Sequence, residues 1–485
     1  MSPRKPRRAV LSVASECVPL IKTGGLADVV GALPKALKEL GWQTRVLMPA
    51  YPGVADRLRA VTEVWSDPDL FGGPAAVLSG TVGGLRVLAL SASHLYDRAG
   101  GIYQGQEGDH PDNDLRFAAL SWVAARLCAE GTRDGWKPTL LHAHDWQAGL
   151  APAYLRFAES STPSVMTIHN MAFQGIAPAD RLEALRLPRQ EFHHSSLEYY
   201  GQISALKAGL VHADRITTVS PSYAEELMRP EFGFGLEGVI IERSQALSGI
   251  VNGIDTSVWN PAEDAAIPQN YDTAQLGNKQ ANREALLEEF GLGPTPGPLA
   301  IVVSRLSHQK GIDLLVEAVP EFIQLGGSLV LLGAGDADLE HRLRTLADHY
   351  PDRVGVRIGY DEPLSHRMFA GGDAVIVPSR FEPCGLTQLY GLRYGTLPVV
   401  AATGGLRDTV IDASVAGLAG QAATGIAFSP LDALALGRAL ARLVALYADP
   451  PTWCQIQRRA MMANVGWTLS AEHYAELFDE LVASR

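Results

Sequence analysis

Residues 299–311 of the sequence read LAIVVSRLSHQKG, and residues 312–324, which follow directly, read IDLLVEAVPEFIQ. The run 299–304 is apolar and rich in Val and Ile, which predicts a strand buried on both faces. Apolar residues at helical spacing predict a helix over 312–324. A buried strand followed by an amphipathic helix is the repeating unit of a parallel α/β sheet.

The same alternation covers most of the chain. A second helix is predicted at 26–40 and a third at 222–228, where Ser222 and Glu225 have capping-box spacing. Strands are predicted at 9–14, 139–142, 164–169 and 215–219, and again at 299–304, 328–332, 355–358, 373–378 and 397–401. The fold class is therefore α/β, with doubly wound, Rossmann-like parallel sheets.

The strands fall into two groups, which predicts two domains. A polar stretch rich in Pro, Gly and Asn separates the groups, so we expect a hinge near Val251–Asn252. The domains are residues 1–250 and 251–466, and a C-terminal helix at about 467–485 is expected to cross back onto the first. Ligands of doubly wound sheets bind at the carboxyl ends of the strands. We expect the two sets of loops to face one interdomain cleft.

The composition excludes several classes of protein. The chain has 485 residues, of which 47% are hydrophobic, and this content excludes an intrinsically disordered protein. The 53 acidic and 41 basic residues give a net charge of −12, which argues against a general nucleic-acid-binding protein. The four cysteines form no C-x-x-C pair, so neither a disulfide framework nor a thiolate zinc site is expected.

The sequence predicts a cytoplasmic protein that does not contact membranes. No apolar run approaches the roughly 20 residues that cross a bilayer. The basic segment 1–8 is followed by an apolar run that reaches Glu16 too soon for the core of a signal peptide. We expect residues 1–8 to form a flexible tail before the first strand.

The first candidate binding loop reads KTGGLAD at residues 22–28, between a predicted strand and a predicted helix. Gly24 and Gly25 let backbone N–H groups approach an anion, the helix start carries about half a positive charge, and Lys22 adds a full charge. An isolated Gly-Gly pair is more often a tight turn beside a solvated lysine. The loop matches neither the Walker A motif nor G-x-G-x-x-G.

Histidines lie at the ends of two predicted strands. His142 and His144 are two residues apart, which places them on one side of a strand, and Asp145 follows them. His169 and Asn170 end the next strand. Two interpretations stay open: a metal site, for which no third ligand is evident nearby, and polar residues lining a cleft, which the sequence favours.

Charged residues also follow two strands of the second domain. Arg305 and Lys310 can converge on one anion, Arg as a planar fork and Lys as a point charge, although alone they would be interpreted as surface charges. Residues 379–388 read SRFEPCGLTQ. We expect Glu382 to be exposed at a strand tip and a helix to begin near Gly385. That helix start would offer N–H groups to a phosphate, and Glu382 would reach the hydroxyls attached to it.

Three Asp-x-Asp strings, a pattern that holds Mg²⁺ or Mn²⁺ in some sugar transferases, occur at residues 67–69, 112–114 and 336–338. Only the last follows a clear buried strand. We expect all three to be solvated acids, and we expect no metal site.

Taken together, the Gly-rich helix starts and the Arg/Lys pair predict a bound diphosphate, and the Glu, His, Asn and Asp side chains suit the hydroxyls of a sugar. The chain resembles the bacterial glycogen synthases, retaining glucosyltransferases that use ADP-glucose, and is similar to plant starch synthases. The matching motifs cover nearly the whole chain in the family's order. They are KTGGLADV at 22–29, HAHDW at 142–146, GQIS at 201–204 with KAG at 207–209, VNGID at 251–255, SRL at 304–306 with QKG at 309–311, and PSRFEPCGLTQ at 378–388.

The resemblance implies the two-domain GT-B fold, with the acceptor on the first domain and the nucleotide sugar on the second. It implies transfer of glucose from ADP-glucose to the non-reducing end of glycogen or another α-1,4-glucan, with retention of configuration and release of ADP. No resident cofactor is implied. Two alternatives stay open: a sugar-nucleotide epimerase of the same fold, and a non-catalytic glucan-binding protein.

The resemblance also implies roles for single residues. Arg305 and Lys310 grip the diphosphate, Glu382 binds the transferred glucose, and His169 lies beside that glucose with Asp145 behind it. We expect these five residues to be catalytic. The residues expected to bind ADP-glucose are Lys22, Gly24, Gly25, Asp28, Asn170, Asn252 at the hinge, Tyr360 near the adenosine, and Gly385, Leu386 and Thr387 at the distal phosphate.

One position departs from a broader pattern. Many retaining transferases of the GT-B fold carry a second glutamate eight positions after the first, on the donor ribose. Here that position is Tyr390, so we assign no ribose role to it. Glycogen synthases are expected to share this departure.

Overall fold

The computed structural model describes residues 8–105 and 108–484. They form two compact units, one made of Met1–Asn252 with Trp467–Arg485 and the other of Gly253–Gly466. The predicted tail at residues 1–8 lies outside the described residues except for Arg8. None of the helices in the described part is both long and apolar enough to span a membrane.

The first unit alternates strands and helices. Its strands are β1 (Ala9–Val13), β2 (Gln43–Pro49), β3 (Arg59–Asp67), β4 (Ala75–Val82), β5 (Leu85–Ser91), β6 (Gln104–Gly105), β7 (Gly108–Asp109), β8 (Leu140–His144), β9 (Ser164–Ile168), β10 (Ile176–Pro178), β11 (Glu198–Tyr199), β12 (Gln202–Ser204), β13 (Arg215–Thr218) and β14 (Leu247–Gly249). Its helices up to the hinge are α1 (Gly25–Glu39), α2 (Ser93–Tyr96), α3 (Asn113–Glu130), α4 (Asp145–Ala148), α5 (Leu150–Phe157), α6 (Ala205–His212), α7 (Pro221–Glu226), α8 (Pro230–Gly233) and α9 (Glu237–Glu242).

One sheet of nine strands organises this unit, in the order β14-β13-β9-β8-β1-β2-β5-β4-β3. Its strands pair in parallel, except that β4 runs antiparallel to both β3 and β5. From β1 the chain builds outward in one direction through β2 and β5, then returns to the other side of β1 with β8. The switch point therefore lies between β1 and β8, and their following loops are where a ligand is expected.

One strand boundary and one helix cap of this unit differ from the prediction. The strand predicted at 139–142 is β8, which continues to His144, so both histidines lie inside the strand. Ser220, not Ser222, caps α7: its hydroxyl accepts the N–H of Tyr223 at 3.1 Å. Pro221 occupies the first helical position, which leaves Ser222 inside the first turn, where a capping box with Glu225 cannot form.

The second unit consists of one fully parallel sheet with helices between its strands. The strands are β15 (Leu299–Val303), β16 (Ser328–Gly333), β17 (Val354–Ile358), β18 (Ala374–Val377), β19 (Leu397–Ala401) and β20 (Ile426–Phe428). The helices are α10 (Lys279–Glu289), α11 (Ile312–Gln324), α12 (Ala337–His349), α13 (Glu362–Gly371), α14 (Thr387–Tyr394), α15 (Gly404–Thr409), α16 (Val415–Ala419), α17 (Ala433–Tyr447) and α18 (Pro450–Met462).

The strand order of this sheet is β17-β16-β15-β18-β19-β20. Counted along the chain this is 3-2-1-4-5-6, the order of a dinucleotide-binding sheet, and its switch point lies between β15 and β18. The strands are almost entirely buried, as their continuous Val, Ile and Leu runs predict. The predicted fold class, two doubly wound Rossmann-like domains, is confirmed.

The last helix, α19 (Thr468–Ala483), belongs to the first unit. Its buried Tyr474 and Phe478 pack in one core with Trp42 and Val10. The hydroxyl of Ser470 donates to the carbonyl of Val251 at 2.5 Å, which ties the start of the helix to the last residues of this unit before the hinge.

Candidate active site

The loop after β1 carries Lys22 and leads into α1. The Lys22 ammonium lies 2.8 Å from Oδ1 of Asp28, an acid of the first helical turn. Gly24 is the N-cap of α1 and has no side chain to cover the free N–H groups. A Cβ placed on Gly24 would meet no described atom within 4 Å. The helix therefore begins beside open space, as an anion site requires.

Glu16 holds this loop, although the sequence did not single it out. Its carboxylate accepts the backbone N–H of Thr23, and only 3% of the residue is exposed. Burial raises the pKa of Glu16, and the hydrogen bond from Thr23 opposes that effect. A buried acid in a loop has no periodic pattern, so only its place between a strand and a Gly pair could have indicated it.

A chain of hydrogen bonds links the buried histidines. His144 Nε2 lies 3.1 Å from the Ser12 hydroxyl, and His144 Nδ1 lies 3.0 Å from His169 Nε2. Burial lowers the pKa of His169 to about 3 and that of His144 well below its usual value. Both rings are therefore neutral at pH 7, and one must donate to the other. The ring of His142 packs against that of His144 with the centroids 4.0 Å apart, and His142 Nε2 lies 2.7 Å from the Thr167 hydroxyl.

Asp145 fixes the backbone of His169 and Asn170. Its Oδ1 accepts the N–H of His169 at 2.6 Å and that of Asn170 at 3.3 Å. The residue has φ = +53°, a left-handed conformation that Asp tolerates better than most residues. Burial raises the pKa of Asp145 to about 7, against the effect of those two hydrogen bonds. Through these two hydrogen bonds Asp145 fixes the backbone of His169 and Asn170, the residues predicted to bind the sugar.

Lys310 and Glu382 meet at the switch point of the second unit. Lys310 Nζ lies 2.6 Å from Glu382 Oε2, and the Ser379 hydroxyl donates to the same oxygen at 2.8 Å. Glu382 is only 7% exposed, so the expectation of an exposed side chain is wrong: two donors draw its carboxylate inward. Gly385 and Thr387 line a cavity of about 20 Å³ beside the pair. Among the described residues, Oε1 of Glu382 accepts no hydrogen bond.

Arg380, for which no role was predicted, joins the loops that carry Lys310 and Glu382. Its guanidinium makes two hydrogen bonds of 2.7 Å to the carboxylate of Asp313 and one of 2.6 Å to the carbonyl of His308. These hydrogen bonds lower the pKa of Asp313. Two-point Arg–carboxylate contacts fix geometry as well as charge, so Arg380 holds one loop in register with the other.

Gly311 allows the loop after β15 to pack closely against the loop after β18. It has φ = +67°, and a Cβ placed on it would lie 2.0 Å from the carbonyl oxygen of Pro378. No side chain fits there, because that separation is far below van der Waals contact. The last residue of the QKG motif is therefore a packing requirement of the site.

The helix after Glu382 begins at Thr387, two positions later than the expected start near Gly385. Gly385 instead has φ = +72° in the turn before the helix. The Gln388 amide donates to the carbonyls of Cys384 and Gly385 at 2.9 Å each, which leaves this turn well supported. Leu386 is the N-cap and offers no capping side chain, so the first N–H groups of α14 point outward without an intrahelical acceptor.

Three further residues that were predicted to bind the donor or the diphosphate are Arg305, Tyr360 and Asn252. Arg305 is exposed after β15, and its guanidinium has no ion-pair partner within residues 8–105 and 108–484. Tyr360 follows the outer strand β17, is 73% exposed, and donates to Glu362 at 2.7 Å. Asn252 ends the first unit before the hinge. Its buried Oδ1 has no hydrogen-bond partner in the part of the chain that the structure describes.

Tyr390 occupies a core position in α14. It is 9% exposed, and its ring stacks on that of Trp259 with the centroids 3.8 Å apart. Where the broader pattern has a glutamate, this chain therefore packs an aromatic ring.

Two of the three Asp-x-Asp strings contain residues with structural partners, and in the third Asp69 is exposed. Asp112 pairs with Arg98 at 2.7 Å, and Asp114 pairs with Arg181 at 2.7 Å with only 10% of its side chain exposed. Asp336 caps α12. The prediction of solvated acids is therefore wrong for Asp114. Within the described residues, no group of three or more His, Cys, Asp or Glu side chains is arranged to hold a metal ion.

Comparisons with known proteins agree with this geometry. Residues 9–242 match the family described as starch synthase catalytic domain, and residues 287–459 match the family described as glycosyl transferases group 1. A glycogen synthase of Cereibacter sphaeroides is 59% identical over 98% of this chain and 99% of its own length. A glycogen synthase of Paracoccus denitrificans is 56% identical with the same coverage of both chains.

Solved structures extend the likeness to three dimensions. The catalytic domain of starch synthase IV from Arabidopsis thaliana, bound to ADP and acarbose, superposes with a TM-score of 0.89 at 32% identity, over 98% of this chain and 99% of that one. A sucrose-phosphate synthase of Thermosynechococcus elongatus shares the fold, with a TM-score of 0.63 at 21% identity over 99% of this chain and 100% of that one. The predicted glycosyltransferase activity and GT-B fold are confirmed. The chain belongs to the glycogen synthase family of glycosyltransferases.

Proposed function

We propose that this protein transfers glucose from ADP-glucose to the non-reducing end of an α-1,4-glucan such as glycogen, with retention of configuration and release of ADP. The observation that carries the proposal is the Lys310–Glu382 pair beside the open start of α14, at the switch point of a dinucleotide-type sheet. The starch synthase IV structure contains ADP, which supports an adenine nucleotide as the donor's leaving group.

The second unit is proposed to hold the donor. Lys310 has three N–H donors and gives one to Glu382, so two remain for phosphate oxygens. Arg305 supplies a further charge from the same loop, and the N–H groups of Gly385, Leu386 and Thr387 bind the distal phosphate. Glu382 accepts glucose hydroxyls through Oε1. Tyr360 is proposed to lie along the adenosine.

The first unit is proposed to contribute the groups around the sugar. His169 and Asn170 contact the transferred glucose, and Asp145 positions their backbone through two hydrogen bonds. The roles proposed for the remaining residues are donor contact for Lys22, Gly24 and Gly25, support of Lys22 by Asp28, and a sugar contact for Asn252.

In the proposed reaction the bond from glucose C1 to the diphosphate oxygen breaks, and its electron pair leaves with ADP. The acceptor 4-hydroxyl forms the new bond to C1 from the same face, and its proton passes to the departing phosphate oxygen. Negative charge grows on the diphosphate, where Arg305, Lys310 and the start of α14 stabilise it. These fixed charges supply the stabilisation that a bound metal gives other transferases, so the proposal requires no resident cofactor.

The test uses radiolabelled ADP-glucose with glycogen as the acceptor. The expected result is label in precipitable glucan, with one ADP released for each glucose transferred. Conversion of the sugar nucleotide without label in glucan would support an epimerase instead. Binding of glycogen without any ADP release would support a non-catalytic glucan-binding protein.

The preference for the nucleobase of the sugar donor is tested separately, by competition between ADP-glucose and UDP-glucose in the same assay. We expect ADP-glucose to be preferred, and equal use of both would contradict the adenosine part of the proposal. The family membership also supports glycogen biosynthesis in the cytoplasm as the setting of the reaction.

A further inference from the structure

A polar cavity lies at the end of the first unit's sheet where the parallel strands begin, opposite the end that carries the Lys22 loop. It has a volume of about 290 Å³, close to the lower end of the ~300–1,000 Å³ range of small-molecule sites. Its lining residues come from the amino ends of three parallel strands and from the loop that precedes β8, whereas Lys22 follows the carboxyl end of one of those three strands. They include Arg8, Gln43, Arg45, Arg86, Asp134 and Trp136. The proposed transfer uses none of them.

Three arginines, Arg8, Arg45 and Arg86, line the cavity in a chain whose net charge is −12. Arg8 is compensated by Asp479 at 2.6 Å, and Arg45 by Asp134 at 2.8 Å. Arg86 is exposed, and no described residue forms an ion pair with it. The lining therefore keeps an uncompensated arginine beside two others, which is the environment that attracts an anion.

Arg45 is the buried arginine of this lining. Only 6% of it is exposed, and its guanidinium carbon lies 4.6 Å from the centroid of the Trp136 ring. Asp134 occupies one of its N–H groups, but the buried Nε has no hydrogen-bond partner in the described structure. The buried indole Nε1 of Trp136 is likewise without a partner among the described residues. Both of these nitrogens are shielded from the cavity, so a ligand would contact Arg45 through the terminal nitrogens of its guanidinium.

We propose that this cavity binds a small organic phosphate, with the phosphate group held by Arg45 and Arg86. The planar fork of arginine matches phosphate oxygens in two-point contacts, and the ring of Trp136 holds the Arg45 fork in place. The cavity is roughly ten times the ~30 Å³ that a water molecule occupies, so it has room for an ester group besides the phosphate. The site is independent of the proposed ADP-glucose site.

The test measures binding of glycerol phosphate and of a hexose phosphate to the full-length protein, with inorganic phosphate as a third probe. Titration calorimetry gives the Kd, and the rise of the unfolding temperature with ligand gives a second readout. Trp136 lies in the site, so its fluorescence should change on binding, and that change should be absent in Trp136→Phe. We expect saturable binding of an ester, tighter than that of inorganic phosphate.

Variants locate the site. Arg86→Gln removes an exposed side chain without an ion pair, so folding should be unaffected, and the Kd should rise by about tenfold or more. The matched control Arg438→Gln removes an exposed arginine of α17 and should leave the Kd unchanged. Transfer activity in Arg86→Gln without added phosphate should equal that of the wild type.

Three results would overturn the proposal. One is the absence of saturable binding of all three probes at millimolar concentrations. Another is binding that survives Arg86→Gln but disappears in Lys310→Ala, because the phosphate would then occupy the proposed donor site. The third is binding of an acidic peptide in place of the phosphate esters, which would make the cavity a protein-docking site.

Discussion

The ammonium nitrogen of Lys310 lies 2.6 Å from Oε2 of Glu382, although 72 positions separate the two residues in the chain. Lys310 follows β15 and Glu382 follows β18, and these strands are neighbours only because the strand order reverses between them. In the proposed reaction, the pair sets a cation for the leaving diphosphate next to a carboxylate for the sugar. The proposed chemistry depends on both members.

Replacement of Lys310 by alanine should lower kcat by about 10²–10³, because one fixed charge on the developing diphosphate is lost. Steady-state kinetics with ADP-glucose and glycogen measure this loss, and thermal unfolding verifies that the variant is folded. The control is Lys38→Ala, which removes an exposed lysine of α1 and should leave kcat unchanged. Near-normal turnover of Lys310→Ala would remove this residue from the mechanism.

Glu382→Ala should lower kcat to a similar extent, about 10²–10³, since the sugar contact is made by the carboxylate itself. Ser379→Ala deletes only one of two hydrogen bonds to Oε2, so a loss of about twofold to tenfold is expected. The comparison separates contact with substrate from support of the side chain. Equal losses in the two variants would mean that Glu382 acts only as part of the loop structure.

Arg380→Lys should reduce kcat/KM about tenfold, because lysine keeps the charge but cannot bridge both oxygens of Asp313 and the carbonyl of His308. Asp313→Asn should cause a similar reduction. The double variant is expected to be little worse than either single one, since both changes release the same loop. Fully additive losses would show that Arg380 does not act through Asp313.

Asp145 should make the stability of the protein depend on pH. Its pKa is raised by burial to about 7, against about 3.9 in the unfolded chain. Between these values the folded state binds more protons than the unfolded state, so stability falls as pH rises through this window. The full effect is on the order of 4 kcal/mol.

Asp145→Asn tests this dependence. Asparagine tolerates the φ of +53° and still accepts the N–H groups of His169 and Asn170, but it does not titrate. Urea unfolding at about pH 5 and about pH 8 should show the variant gaining stability relative to the wild type at the higher pH. Parallel pH profiles of the two proteins would contradict the raised pKa.

Much of the fold could be predicted because fully buried parallel strands leave continuous apolar runs. Residues 299–304 and 397–401 are such runs, and the structure has strands there. No strand was predicted at β2, whose first residues are polar and which contains Arg45, or at the mostly exposed antiparallel strand β3. In both strands, polar residues interrupt the continuous apolar run by which the other strands could be recognised.

The candidate site was less predictable than the fold. The loops at the strand ends could be found, but the burial of Glu382 depends on Lys310, which lies 72 positions away. The roles of Arg380 and Glu16 also depend on hydrogen-bond partners in other parts of their loops or in neighbouring loops. Local sequence patterns do not show that these partners come into contact. Local patterns indicate which loops matter, and tertiary packing decides which atoms of those loops remain available to substrate.

The most direct test of the central claim is a crystal structure of the protein with bound ADP. We expect the diphosphate beside β15 and β18, with its oxygens within hydrogen-bond distance of Arg305, Lys310 and the backbone N–H groups of Gly385–Thr387. A nucleotide bound elsewhere, with Lys310 and Glu382 out of contact with it, would contradict the proposed donor site.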